Sequence, residues 1–240
     1  MKIYIPSFQR PRSVFALEVF PSAVLVVRAS EAAAYRKHNP DAALHVIADE
    51  LEGNLSVKRN AILKLAENEA DKTIVMVDDD LCCFFDKEQD RALTGDDALA
   101  ALQQLADAAA QDGANYFGVS PHPRCRWNPA EPFNRIDFIN FLYGFHVPLG
   151  LEYDPALSGV EDTDLFLQCL EEGRGVFRWE RFGVDVVRGN RGGLDRVVNQ
   201  KNLAAQALAL KWGGRVVELT ADGNLCGLNP AAVKPLRKSP

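Results

Sequence analysis

The run Val-Met-Val-Asp78-Asp79-Asp80-Leu places three carboxylates directly after an apolar segment. Like charges this close raise one another's proton affinity and cost stability unless positive charge lies among them. A hard divalent cation that prefers oxygen, Mg²⁺ or Mn²⁺, relieves that repulsion. In an extended segment Asp78 and Asp80 point the same way, so one can bind a metal and the other the metal's ligand. A solvated acidic turn is the plain alternative. Upstream, Gly53-Asn54-Leu55-Ser56-Val57-Lys58-Arg59-Asn60 sets two cations in the first turns of an expected helix. A helix N-terminus with cations attracts anions. Beside an acidic strand end, this suggests a diphosphate bridged by metal on one side and Arg59 on the other. A solvated helix face is the simpler explanation of the two cations. Glu161-Asp162 opens another expected helix, a position that the dipole alone favours for acidic residues.

Short β-like runs alternating with helical patterns must position these groups. Strands are expected over 2–5, 24–27, 44–48, 73–77 and 115–119. Helices are expected over 30–37, 56–68 and 96–111, capped by Ser30, Ser56 and Asp96. Repeated β-α-β units specify an α/β fold with a mostly parallel central sheet and helices on both faces. Ligands bind beyond the C-terminal ends of such strands. Ser7–Arg10, Asp49-Glu50 and Asp78–Asp80 all fall at those ends. The second half is less regular. It reads as a long loop over 121–135, a strand-like aromatic stretch over 136–147 and a helix over 161–171. Strands over 176–179 and 184–187, a loop over 188–193, a helix over 194–211, a strand over 215–219 and an irregular tail from 229 follow.

Composition excludes several classes. Lys plus Arg total 27 and Asp plus Glu 33, a net charge of −6, which rules out a protein that coats nucleic acid through general basicity. Hydrophobic residues at 47% and charged residues at 25% suit a folded globular chain of one domain. No run of about 18 apolar residues exists, so no membrane span is expected. The opening MKIYIPSFQRPRS is too polar for a signal peptide. Five irregularly spaced cysteines, two of them adjacent at Cys82-Cys83, read as reduced thiols in a cytoplasmic compartment. His122-x-x-Cys125 lacks a second ligand pair for zinc. Neither a Gly-x-x-x-x-Gly-Lys-Ser/Thr nor a Gly-x-Gly-x-x-Gly loop is present, which disfavours P-loop and dinucleotide enzymes. Arg124, Arg126 and Trp127 form a basic–aromatic cluster able to contact phosphates and stack a base.

The stretch GNLSVKRNAILKLAENEADKTIVMVDDDL resembles the core of GT-A glycosyltransferases. There a Gly-x-x-x-x-x-Arg-Asn helix precedes a strand ending in Asp-x-Asp. The opening IPSFQRP is similar to the first-strand turn that holds the nucleotide in that fold, and Val160-Glu161-Asp162 matches the later x-Glu-Asp motif near the acceptor. A narrower resemblance is to phage-type and TET-associated glycosyltransferases, which share a Pro-Ser-aromatic-x-Arg start, an Arg-Asn helix and an Asp-Asp-Asp strand end.

The resemblance implies one GT-A domain over 1–240, with a nucleotide-sugar half over 1–120 and an acceptor half over 121–240. It implies metal-dependent sugar transfer from a nucleotide-sugar, a UDP-sugar being the expected donor, to an acceptor hydroxyl. The narrower resemblance implies a hydroxymethylated pyrimidine in phage DNA as acceptor, and the host cytoplasm as location. Pro6, Ser7 and Arg10 would line the base and ribose pocket, and Asp49 would approach the nucleobase. Arg59 and Asn60 would contact diphosphate or ribose. Asp78 and Asp79 would bind the donor, and Asp80 with Asp78 would hold Mn²⁺ or Mg²⁺. Asp162 would be the catalytic base of an inverting enzyme, with Glu161 orienting hydroxyls. Arg191, in the loop Arg188–Gly193, would join Arg59 at the leaving diphosphate. The later metal-binding His of several such enzymes is missing, because no His follows His146, and Asp185 is the substitute to consider. The same fold acting on a glycan, protein or small molecule, a nucleotidyltransferase and a non-catalytic binding module remain the alternatives.

Overall fold

Runs of β-branched and aromatic residues form the strands that carry the candidate site. The computed structural model describes residues 1–52, 54–69, 71–121, 127–135, 138–189 and 198–236. In the first half, β1 (Lys2–Pro6), α1 (Ala16–Val19), β2 (Val24–Arg28), α2 (Ala32–His38), β3 (Ala43–Ile47), α3 (Leu55–Asn68) and β4 (Thr73–Val77) alternate. After them come β5 (Leu81–Asp86), β6 (Arg91–Ala92), α4 (Gly95–Gln111) and β7 (Tyr116–Ser120). The second half holds β8 (Phe133–Asn134), β9 (Leu142–His146), α5 (Glu161–Glu171) and β10 (Val176–Val186). It closes with α6 (Val198–Trp212), β11 (Val217–Leu219), β12 (Leu225–Leu228) and α7 (Pro230–Val233).

The central sheet runs β3-β2-β1-β4-β9-β7-β10-β5-β6, with β8 paired to β10. β1, β2, β3 and β4 are mutually parallel, and β7 is parallel to β10. β9 lies between β4 and β7 and runs against both, so β4 and β7 share one direction. The α/β architecture with a mostly parallel sheet is therefore present. Strand alternation feeds two cores. Ile3, Ile5, Val75 and Val77 face one, with Leu102 and Leu105 of α4. Tyr4, Ile74 and Met76 face the other, with Ile62 and Ala66 of α3 and Leu165 and Phe166 of α5. Strands buried on both faces read as continuous apolar runs, which is why β1 and β4 stand out in the sequence.

Several local expectations change. Asn54, not Ser56, caps α3: its Oδ1 accepts from Val57 N at 3.0 Å, and Ser56 is buried within the first turn. Thr94 precedes α4, and Asp96 falls inside the first turn. Ser30 lies in a short 3₁₀ turn and donates its hydroxyl to Asp49. β5 follows the acidic triplet where no strand was expected. The two strands expected over 176–179 and 184–187 are one long strand, β10, whose register shifts between Trp179 and Gly183. Among the described residues no helix is long and apolar enough to cross a membrane.

Where β4, β9 and β7 meet, Gly144 leaves no room for a side chain. A Cβ there would stand 2.3 Å from the Phe117 ring and 2.8 Å from the Ile74 carbonyl oxygen. Backbone cannot yield as a side chain can, so Gly144→Ala is expected to lower stability by about 1–3 kcal/mol. Urea unfolding reads this as a lower midpoint at unchanged slope.

Candidate active site

β1 and β4 are adjacent and parallel, with Tyr4 opposite Met76, so their C-terminal ends open at one edge. Pro6 ends β1, and the chain then turns through Gln9 in the left-handed region (φ 55°). This turn brings Ser7 and Arg10 onto the acidic triplet. Ser7 Oγ donates to Asp79 Oδ2 at 2.6 Å and hydrogen-bonds the Tyr35 hydroxyl at 2.7 Å. Arg10 Nη1 donates to Asp79 Oδ1 at 2.5 Å and to Asp80 Oδ2 at 3.2 Å. Burial raises the proton affinity of Asp79, and Arg10 and Ser7 oppose that. Asp80 is pushed up to about 6, by burial first and then by Asp78 and Asp79, against Arg10.

Arg59 joins this edge to the second half of the chain. Its guanidinium, with a side chain 2% exposed, donates to Asp78 Oδ1 at 2.9 Å and to Glu161 Oε1 at 2.6 Å. The rings of Tyr143 and Tyr153 lie 5.3 and 5.6 Å from its Cζ, within cation–π range. Glu161 Oε2 also accepts the Gly159 amide. Asp162, next along α5, accepts from Thr163 N at 2.8 Å. Its carboxyl is pushed up to about 7, chiefly by burial and then by the charge of Glu161, while Arg59 pulls the other way.

The structure thus gathers Ser7, Arg10, Asp79 and Asp80 into one set of hydrogen bonds and Asp78, Arg59 and Glu161 into another, the two adjoining along the chain at Asp78-Asp79, with Asp162 beside Glu161. Asp49 and Asn60 are engaged elsewhere. Asp49 Oδ1 accepts the Ser30 amide and hydroxyl, both at 3.0 Å, and these bonds hold its carboxyl low. The Asn60 side chain donates to Tyr153 O at 2.9 Å and accepts from Tyr153 N at 2.8 Å. Asp185 is exposed on β10, and its Oδ1 accepts the Val186 amide at 2.9 Å. Arg191, Arg124, Arg126, His122 and Cys125 lie outside the described residues.

Other groups at the site were not singled out from sequence. Phe8 lies between Arg28 and Lys58, 4.7 and 5.9 Å from its ring centre. Lys58, read from sequence as one of two cations at a helix start, is buried and donates to Ser7 O at 2.5 Å. Phe8 carried a visible signal, an aromatic residue inside the strand-end turn. Tyr35 and Tyr153 carried none, since their roles depend on distant segments packing beside them.

The repulsion within the triplet is met in this structure by Arg10 and Arg59. Compensation is incomplete. Asp78, Asp79, Asp80, Glu161 and Asp162 outnumber Arg10, Arg59 and Lys58 by two formal charges. Among the described residues Asp78 Oδ2 and Asp80 Oδ1 take no hydrogen bond, while the opposite oxygens are bound to the arginines. Two free carboxylate oxygens in a net negative field suit a hard divalent cation that completes its shell with water and phosphate. The described residues supply no cluster of three or more His, Cys, Asp or Glu for a metal, so the protein's own share would be small.

The family model described as TET-Associated Glycosyltransferase matches residues 1–193. The fold is similar to that of S. aureus TarS (residues 1–349, solved with UDP). The TM-score is 0.52 at 13% identity, over 92% of this chain and 76% of that one. It is also similar to that of GalNAc-T7, solved with UDP, GalNAc and Mn²⁺. Here the TM-score is 0.55 at 12% identity, over 90% of this chain and 50% of that one. Both neighbours are GT-A glycosyltransferases, and the shared architecture is the GT-A fold. No curated protein matches the chain in sequence.

Removing one partner of a buried ion pair leaves the others uncompensated. Arg59→Met is therefore expected to lower stability by about 3–5 kcal/mol, more than the loss of an exposed pair such as Arg91–Asp97. Urea unfolding of Arg59→Met and Arg91→Met, side by side, checks the contrast.

Proposed function

The chain belongs to the TET-associated glycosyltransferase family, and from that premise we propose that it moves a sugar from a UDP-sugar to an acceptor hydroxyl with the help of a divalent metal. The observation that carries this reading is the pair of adjoining carboxylate–arginine sets at the C-terminal edge of β1 and β4, with Asp162 beside them. The donor nucleotide lies across the strand ends, where Pro6, Ser7, Arg10 and Asp49 shape its pocket and Phe8 offers an aromatic face. The UDP in the TarS and GalNAc-T7 structures supports this choice of donor. Asp80 and Asp78 would hold Mn²⁺ or Mg²⁺, which when bound neutralises charge on the departing diphosphate. The Mn²⁺ in GalNAc-T7 supports that assignment.

Sugar transfer passes through an oxocarbenium-like state while negative charge builds on the leaving group. Cations held in place beforehand stabilise that charge without reorganising. Arg191 is placed at the diphosphate on the resemblance alone. Arg59, enclosed between Asp78 and Glu161, contributes through those carboxylates. Asp79 anchors the turn of Ser7 and Arg10 that forms the donor pocket wall, and Asn60 acts through the Tyr153 backbone. Asp162 takes the proton of the attacking hydroxyl, and Glu161 orients the hydroxyls beside it. The acceptor in this reading is a hydroxymethylated pyrimidine of DNA, supported by the family. In a duplex that base must leave the stack to reach the site.

Two outcomes follow. A base raised to about 7 is protonated and inactive below that pH, so transfer should rise with pH through about 7. Asp162→Asn should lower transfer by about 10²–10⁴-fold while donor binding is retained. A pH–rate profile of wild type and a calorimetric titration of the variant check these. The broader test is a thermal-shift screen of UDP-, GDP-, CMP- and TDP-sugars with and without Mn²⁺. A donor at a hundred times its dissociation constant stabilises by about 2.7 kcal/mol. UDP-sugars with Mn²⁺ should raise the melting temperature; no shift with any sugar nucleotide would overturn the reading.

A further inference from the structure

Asp164 is fully buried in the first turn of α5, two residues beyond Asp162. Its carboxylate accepts from Trp212 Nε1 at 2.7 Å, from Lys211 Nζ at 3.0 Å and from Gln168 Nε2 at 2.7 Å. A buried carboxylate without partners is very costly, so these bonds dictate where it can sit. Two of the three come from the last turn of α6, and only Lys211 carries the opposing charge. Lys211 also reaches Asp154 Oδ2 at 3.2 Å. From the other side α3 grips the same stretch, with Asn54 Nδ2 on Pro155 O at 2.8 Å and Asn60 on the Tyr153 backbone. The approach to Glu161 and Asp162 is thus held between α3 and α6.

The family match ends at residue 193, whereas α6 begins at Val198. Within the matched segment, Asp164 keeps Gln168 alone. We infer that Lys211 and Trp212 are positioning residues for sugar transfer: by clasping Asp164 they fix the turn of α5 that presents Glu161 and Asp162. The inference rests on the proposed glycosyl transfer, but the clasp itself has a readout that needs no substrate. The amides of 164–167 are the test point, because their helical acceptors lie in the first turn, as Asp164 N on Val160 O at 3.1 Å shows.

The experiment uses the full chain and compares wild type with Trp212→Phe, Lys211→Met and Lys211→Arg. Trp212→Phe keeps an aromatic ring, smaller than the indole, and removes the N–H, and Lys211→Arg keeps the charge. In hydrogen–deuterium exchange at 10 °C, the amides of 164–167 should exchange at least tenfold faster in Trp212→Phe and Lys211→Met, with β1 and β4 amides unchanged. Lys211→Arg should match wild type. In transfer from a UDP-sugar to a hydroxymethylcytosine oligonucleotide, kcat should fall about tenfold in the first two variants at unchanged donor KM. Unchanged exchange at 164–167, a uniform rise across all amides, or faster local exchange with unaltered kcat would each overturn the inference. A wild type without transfer activity would instead overturn the functional reading, while exchange still decides whether the clasp holds the turn.

Discussion

A fully enclosed guanidinium held by two carboxylates is the constraint on which this site depends. Arg59 enters from α3, Asp78 from the end of β4 and Glu161 from the start of α5, so one cation ties together three elements. Burying a charge is costly unless partners of good geometry surround it, and here both guanidinium ends and both tyrosine faces are used. The arrangement has a directional consequence. The donor edge of the sheet and the helix that carries Asp162 are held in one position relative to each other.

Three adjacent aspartates do three different jobs. Asp78 turns to Arg59, Asp79 turns inward to Ser7 and Arg10, and Asp80 shares Arg10 while staying partly exposed. The extended segment expected from sequence is instead a turn between β4 and β5, closed by Leu81 N on Asp78 O at 3.1 Å, and each side chain meets whatever the adjacent element offers. Two arginines meet most of the repulsion that the triplet would otherwise suffer. Burial first, and then the remaining negative field of Asp78 and Asp79, raises the proton affinity of Asp80, and that field is why two carboxylate oxygens still suit a cation.

The same logic extends beyond the central sheet. The neighbourhood of Asp162 is gripped by Asn54 and Asn60 on one side and by Lys211 and Trp212 on the other. Precision at a catalytic group comes from supporting side chains that are themselves locked. An element beyond the family segment can therefore bear on the geometry of the carboxylate proposed as the base.

Whatever depends on neighbours along the chain could be read from residue order alone. The apolar runs of β1 and β4, the helix of Arg59 and Asn60, the bounds of α5 and the grouping of polar residues at strand ends were all legible, because pleat, helix period and turn chemistry are local. Local rules also left near-misses, as when Asn54 rather than Ser56 capped α3, since both residue types satisfy the same orphan amides. Which side chains become partners depends on how distant segments pack. Arg59 and Glu161 lie 102 positions apart, and nothing in either segment names the other. The guanidinium read from sequence as facing a diphosphate faces two carboxylates instead, because packing α3 and α5 on one sheet face encloses it between them.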